Sequence, residues 1–505
     1  MLARLKSTVR DTIAYSFSNI APKVVGVILL PLFIAKLTPS EYGNLDLLDQ
    51  TLAILAEIFI LGQATSIILF NNSAEYKEKK DSTLFTITTF VLIICAVFVL
   101  FAEVFTAASP SLFLNAQIEA SYIRLIAYIV LLRVLNNLFF AKVRAEEESV
   151  YYSVVSVIKV LLMTLITIYL VGWLNKGIIG VLFAYAFAEF LTIIILLVKI
   201  IPQMKARFES AILKAALKFG LPLVFASVGF LLLNLSDRYI IKFLLGSAAL
   251  APYSLAYRIA GVLNMFLILP FTLGLMPVAY KYFGSADDKR FFTKLMTYSS
   301  FFFIWGFVFL SLFSKEIIHL FAKKAEYGTA YILVPIILLS YVLSGMRLTA
   351  SLGMLLTKNT KHVAWITLGA AAFNIILNFI FIPRFGIMAA AVNTLIAFTL
   401  FYFITQIFSD KYYKIPFENY KLILMLIVGS VLSSLIYFLP SMNTILEIVL
   451  KLILVILFPF ILFVFRFYEK AELEILLSPA RILDFIKGIV KGADKTSTDS
   501  GQIMP

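Results

Sequence analysis

The sequence predicts an all-α polytopic membrane protein of about 14 transmembrane helices. Three observations carry that expectation. Hydrophobic residues fill 61% of the 505 positions and the mean hydropathy is +0.97, far above the roughly half-apolar usage of soluble domains. The apolar residues fall in runs of about 20, the length of helix that crosses a bilayer. Lysine and arginine collect in every second connection between those runs, as retained loops require.

In chain order, the spans are expected near 11–36, 44–70, 83–105, 119–141, 150–172, 177–200, 215–242, 249–280, 291–313, 328–356, 362–382, 386–409, 420–439 and 444–466. The first follows Arg4, Lys6 and Arg10 and carries Pro22 and Lys23, so it reads as a span and not as a cleaved leader. Proline also marks bends in the first, seventh and eighth spans, at Pro31, Pro222, Pro270 and Pro277. Beyond Arg466, Ile482, Leu483, Ile486, Ile489 and Val490 recur at helical spacing opposite Arg481, Asp484, Lys487 and Lys491. They predict a short amphipathic helix in a tail of residues 468–505.

An even number of spans puts both termini on one side. Of the 43 basic residues, 28 lie on the face that includes both ends, 7 on the opposite face and the rest within spans. The termini are therefore expected in the cytoplasm, and the net charge of +14 reflects topology: without a soluble basic domain, nucleic acid is not a partner. Cys95 is the single cysteine, and His319 and His362 are isolated near helix ends, so neither a disulfide nor a metal site is expected. No Gly-rich nucleotide loop occurs, which removes ATP as the direct energy source, and no cofactor is expected. Outer connections of about 15 residues at most leave no room for the catalytic groups of a lipid-linked-sugar polymerase or ligase, so an enzyme is not expected.

Residues Tyr122 to Leu191 and Tyr331 to Leu400 align without a gap at an offset of 209. "LVGWLNKGIIGVLFAYA" at 170–186 answers "FIFIPRFGIMAAAVNTL" at 379–395. The chain thus divides into an N-terminal lobe of six helices (1–205), a C-terminal lobe of six (206–411), two further helices (412–467) and the tail (468–505). Because six is even, the axis relating the lobes is expected along the membrane normal. With "LLPLFIAKLTPSEYGNLDLL" near the start, "LSDRYIIKFLLG" followed by "YSLAYRIAG" in the middle, and "IPRFGIMAAAVNT" later, the sequence resembles the Wzx-type oligosaccharide flippases of the multidrug/oligosaccharidyl-lipid/polysaccharide exporter superfamily. That resemblance implies a bacterial inner-membrane protein that moves an undecaprenyl-diphosphate-linked sugar repeat to the outer leaflet by alternating access. Membrane lipid and polysaccharide assembly proteins are the expected partners, and a monomer is the expected state.

Ionisable side chains inside spans cost at least a few kcal/mol, so each needs a partner or a wet cavity. Residues equally far from a hairpin turn share a depth, which pairs Lys23 with Glu57, Glu103 with Arg124, Lys159 with Glu189 and Asp237 with Arg258. Arg238, beside Asp237, is expected to snorkel to the outer end without neutralising its neighbour. Arg133 and Arg347 find no such acid, and an unpaired guanidinium suits a diphosphate. The anion site is therefore expected from Arg133, Arg347, Lys23 and Arg258. Polar stripes add Asn19 in the first span, Asp46, Gln50 and Glu57 in the second, Ser344 in the tenth, and Asn374 and Asn378 in the eleventh. Asn19, Glu57, Asp237, Arg238, Ser344, Asn374 and Asn378 are the candidates for cavity lining or gate. The near rival is a drug or metabolite extruder of the same superfamily, disfavoured because the first span carries Lys23 and no acid after Asp11.

Overall fold

The computed structural model describes residues 21, 24–73, 79–108, 120–322, 324–357, 359–437 and 443–469. Among them the regular elements are helices, with no strand. The first, α1 (Val24–Lys36), leads into α2 (Pro39–Ile60). That start is dictated locally: Thr38 Oγ1 accepts from the Glu41 N–H at 3.2 Å, and the Glu41 carboxylate accepts from the Thr38 N–H at 2.8 Å. Leu61 and Gly62, both at positive φ, stop α2, and the chain resumes as α3 (Gln63–Asn72) at an angle of 47°. The first half continues with α4 (Lys80–Ala108), α5 (Ala120–Ala145), α6 (Ser149–Thr167), a wide π turn at Ile168–Trp173, and α7 (Gly177–Ile200).

The second half begins with α8 (Ser210–Leu245), which contains Pro222, and α9 (Ser247–Leu263). A π turn at Asn264–Ile268 separates α9 from α10 (Leu269–Tyr282). Pro270 explains that turn, since it has no N–H to donate and its ring crowds the carbonyl one turn back. Then follow α11 (Asp288–Leu312), α12 (Ser314–Phe321), α13 (Ala330–Ala350), α14 (Leu352–Leu356), α15 (Thr360–Tyr412), α16 (Asn419–Ser434) and α17 (Thr444–Val464).

Helix α15 runs over 53 residues but is broken at Gly386, where φ is 63° and ψ is −151°. Its two arms return antiparallel. Asn393 donates to Asn378 at 3.0 Å near the tip, and Tyr412 meets His362 at 2.6 Å at the base. Gly177, 209 residues before Gly386, also takes a positive φ, at the tip of the α6–α7 hairpin.

Nine helical stretches among the described residues are long and apolar enough to cross a membrane, or eleven if the bent α2–α3 pair and the bent α8 each count as one span. The expected fourteen segments all overlie helix where they are described. Large apolar side chains such as Ile93, Val97, Leu100 and Phe101 of α4 point outward, as a lipid solvent requires.

Helix α2 is where the two halves of the sequence meet, packed against α5 on one side and α8 and α9 on the other. Contact is closest at two glycines. A Cβ on Gly43 would lie 2.3 Å from the Ser247 carbonyl oxygen, and Ser247 Oγ donates to Asn44 at 2.6 Å. Toward the end of the bundle that bears the basic connections, a Cβ on Gly62 would lie 2.4 Å from the Gly220 carbonyl oxygen, and Ser66 donates to the Ala216 carbonyl at 3.2 Å. The tail helix expected within 468–505 lies outside the described residues.

Candidate functional site

Tyr42, Asp46 and Asp49 recur at steps of four and three, which puts them on one face of α2. Ser254 and Arg258 share a face of α9 by the same spacing. The helices bring these faces together with Asp237 and Arg238 of α8. Arg238 Nε donates to Asp46 Oδ2 at 2.9 Å, its Nη1 donates to the Asn234 carbonyl at 2.9 Å, and its guanidinium lies 4.2 Å from the Tyr257 ring centroid. Asp46 accepts further from Ser254 at 2.6 Å and Gln50 at 3.3 Å. Asp237 is completely buried and accepts from the Arg238 backbone N–H at 2.8 Å, from the Tyr253 hydroxyl, and from Tyr257 at 3.2 Å and Thr394 at 3.5 Å. Both carboxylates are thus supplied with donors, which makes their burial tolerable.

Beside this cluster opens a cavity of about 360 Å³, walled by residues of α1, α2, α6, α7, α9 and α13, with Asp49, Tyr185, Arg258 and Tyr341 as its principal polar groups. The π turn after α9 contributes Asn264 and Met265 to its wall. Arg258 Nη2 stands 3.8 Å from Asp49 and 4.0 Å from Asp46, Nη1 donates to the Gly26 carbonyl at 3.2 Å, and the guanidinium lies 5.8 Å from the Tyr42 ring. Asp49 shares the cavity wall with Tyr185, whose ring has the Arg133 guanidinium 5.9 Å from its centroid. Behind them Glu189 receives Lys159 at 2.5 Å, Arg133 at 3.1 Å and Asn136 at 2.6 Å. Asp46, Asp49, Asp237 and Glu189 thereby face Arg133, Lys159, Arg238 and Arg258 in one chain of interactions across six helices. A larger groove of about 470 Å³ between α13, the second arm of α15 and α16 is mostly apolar and holds no basic side chain.

The family described as "Polysaccharide biosynthesis protein" matches residues 8–283, more than half of the chain. The chain belongs to that family. A second family, MatE, matches residues 222–380. No curated protein matches the sequence. Among solved structures the fold is similar to "Lipid II flippase MurJ, inward closed conformation", with a TM-score of 0.71 and 16% identity over 91% of this chain and 100% of that one. It is also similar to an inward-facing multidrug resistance MATE transporter of the MOP superfamily, with a TM-score of 0.64 and 15% identity over 78% of this chain and 94% of that one. A MOP superfamily transporter from Pyrococcus furiosus gives 0.60 and 16% over 81% and 95%. These identities establish a shared fold: this family member is a multi-pass helical membrane protein built like the MOP transporters.

Within it, two of the expected ion pairs form. Arg124 Nε lies 3.3 Å from Glu103, and Lys159 reaches Glu189. Lys23 and Asn19 lie outside the described residues, so the Lys23 to Glu57 pair does too; Glu57 itself is half-buried. The expected Asp237 to Arg258 pair does not form. Asp237 is satisfied within α8, α9 and the second arm of α15, while Arg258 turns to the acids of α2. Arg238 does not snorkel either: it is buried, bonded across to Asp46, and within 3.5 Å of Asp237. Arg133 is not unpaired, because Glu189 on α7 reaches it as well as Lys159. Arg347 is unpaired among the described residues, with a buried Nε that has no hydrogen-bond partner and its guanidinium 4.3 Å from the Phe401 ring. Asn374 and Asn378 are fully buried in a ladder running from Ser236 through both to Asn393, so they join α8 to the two arms of α15 and do not line the cavity. Ser344 is half-buried on α13. Asp49, Tyr185 and Tyr341 were absent from the expected site. Asp49 had a signal in the sequence, since it lies three residues after Asp46 on the polar face of α2.

Proposed function

We propose that the protein is a flippase that moves an undecaprenyl-diphosphate-linked oligosaccharide repeat from the cytoplasmic to the outer leaflet for surface polysaccharide assembly. The observation that carries this reading is the cavity between the halves, where Arg258 presents a guanidinium with no tight carboxylate partner. Sugars dragged through hydrocarbon would lose hydrogen bonds at a cost of about several kcal/mol per polar group. A polar cavity at the centre of the bundle removes that cost, and the polyprenyl tail stays in lipid. Arg258 and Lys23 are the proposed diphosphate contacts and Arg347 a further one. Arg133, held by Glu189, sets the field of the site instead of binding directly.

The cycle alternates closure at two places. Gly43 against Ser247 closes one end, Gly62 against Gly220 the other, and the cavity opens by turns to each side as the lobes rock. The N-terminal lobe is 1–205, the C-terminal lobe 206–411, and α16 and α17 are additions outside the repeat. Both termini face the cytoplasm of a bacterial cell, and the protein works as a monomer beside polysaccharide assembly proteins. The fold likeness to MATE transporters supports a second reading, export of a drug or metabolite, for which Asp49 would be the cation contact; Arg258 across the cavity opposes it.

The deciding experiment deletes the gene and identifies what accumulates in the lipid fraction. A polyprenyl-diphosphate-linked sugar supports the flippase. An unchanged lipid fraction, with a cationic drug or metabolite retained in the cells, makes it an exporter.

A further inference from the structure

The four cations of this chain of interactions differ in how firmly they are held. Lys159 and Arg238 make contacts of 2.5 and 2.9 Å to carboxylates, and Arg133 one of 3.1 Å. Arg258 stands apart, with its nearest carboxylate oxygens at 3.8 and 4.0 Å. Charge-assisted hydrogen bonds run at about 2.7–2.9 Å, so Arg258 has an ion pair without the bond. Asp46 cannot close that gap, being committed to Arg238, Ser254 and Gln50. Asp49 is not committed in that way. It borders the cavity, keeps 24% of its side chain exposed, and lies across from Tyr185 on the wall formed by α7.

We infer that Asp49 is a positioning residue, the resident counter-ion that steadies Arg258 in the empty cavity and yields it to the phosphate of the cargo. This rests on the proposed function and deepens it. Asp46 and Asp49 both stand within 4.0 Å of the Arg258 guanidinium, so an entering diphosphate meets their negative charge unless one carboxylate withdraws. Asp49 has somewhere to go: the Tyr185 hydroxyl belongs to the same cavity wall, and Arg133 lies over the Tyr185 ring. The carboxylate leaves one cation for the neighbourhood of another, with the Tyr185 hydroxyl as its donor there. Asp49 thereby also selects the cargo, since a neutral molecule offers Arg258 nothing to exchange for it.

The test measures binding of farnesyl diphosphate to the full chain in lipid nanodiscs, with inorganic pyrophosphate as the tail-free probe and farnesol as the anion-free one. Removing the competing anion in Asp49→Asn tightens both diphosphates by about ten-fold, within the usual range of coupling between two ligands of one group, and leaves farnesol unchanged. Tyr185→Phe weakens diphosphate binding several-fold, because Asp49 loses its alternative partner, and Arg258→Gln abolishes it. Wild-type binding that Arg258→Gln abolishes and Asp49→Asn leaves unchanged or weakens overturns this inference alone. If neither diphosphate binds the wild type, the cargo reading falls and the inference with it. Should Asp49→Asn fail to fold, Tyr185→Phe decides, and wild-type affinity there assigns Asp49 to folding.

Discussion

Arg238 and Asp46, 192 residues apart in the chain, meet at 2.9 Å where α8 packs on α2, and both are almost completely buried. Breaking a buried pair from one side strands the other charge and costs about 3–5 kcal/mol. Arg238→Met and Asp46→Leu should each lower the thermal stability of the purified protein and its level in the membrane. The double substitution Arg238→Met with Asp46→Leu should recover part of the loss, because it removes both charges of this pair and leaves only Asp237, 3.5 Å from Arg238, without its cation. A double variant no better than the worse single one would mean that the pair does not hold α8 to α2.

Glu189 serves two cations and an amide, so its loss should exceed that of either partner. Glu189→Gln leaves Lys159 and Arg133 without their anion, whereas Lys159→Met leaves Glu189 bound to Arg133 and Asn136. The expected order of destabilisation in thermal unfolding is Glu189→Gln well above Lys159→Met. Equal effects would show that one of the two cations contributes nothing.

The helices were legible in the sequence because lipid as solvent imposes a length and composition on every span. Pairs within one hairpin were legible too: Glu103 with Arg124 and Lys159 with Glu189 follow from equal depth around a turn. The site was not, and the reason is geometric. Equal depth says nothing about which non-consecutive helices touch, so it assigned Arg258 to Asp237 on the preceding helix. In the fold α2 comes between the halves, and Asp46 and Asp49 draw both Arg238 and Arg258 to it. Arg133 failed for the same reason, since its acid is on α7, two helices away in sequence. What the sequence did carry was the polar face of α2, and the step from Asp46 to Asp49 was there to be read.

Arg347 is buried with an unpartnered Nε against Phe401. A lone guanidinium in that setting is a liability for folding, and a leucine there would remove a desolvation cost of about several kcal/mol. If Arg347 exists to meet an anion, Arg347→Leu should raise thermal stability while surface glycan export falls and lipid-linked repeat accumulates. Raised stability with normal export would remove Arg347 from the mechanism.

From the bias of basic residues, 28 on one face against 7 on the other, we expect both termini inside. Reporter tags at the N-terminus and after Lys495 should read as cytoplasmic, and one at Ala108, the end of α4, as external. An external C-terminus in intact cells contradicts the orientation from which the direction of transport is argued.

Gly43 and Gly62 mark close backbone approaches at opposite ends of the bundle, and if these are the alternating closures we propose, a methyl group at each should hold a different side open. On Gly43 the added carbon meets the Ser247 carbonyl oxygen at 2.3 Å, and on Gly62 the Gly220 carbonyl oxygen at 2.4 Å. Both obstacles are backbone, which cannot rotate away, so α2 has to part from α9 in one case and α3 from α8 in the other. Val262 lines the cavity and can carry a reporter cysteine once the buried Cys95 is replaced by alanine. Labelling of Val262→Cys by a charged maleimide should rise from the basic, cytoplasmic side in Gly62→Ala and from the outer side in Gly43→Ala. Gly62 also has a φ of 69°, so alanine there carries backbone strain of about 1 kcal/mol besides the clash. Gly386→Ala is the control for backbone strain without a clash, and a severe one, because φ 63° with ψ −151° is open essentially to glycine alone and nothing lies within 4 Å of the position of its Cβ. Accessibility that rises on one side in both variants, or that Gly386→Ala reproduces, would mean these two contacts are not the alternating closures.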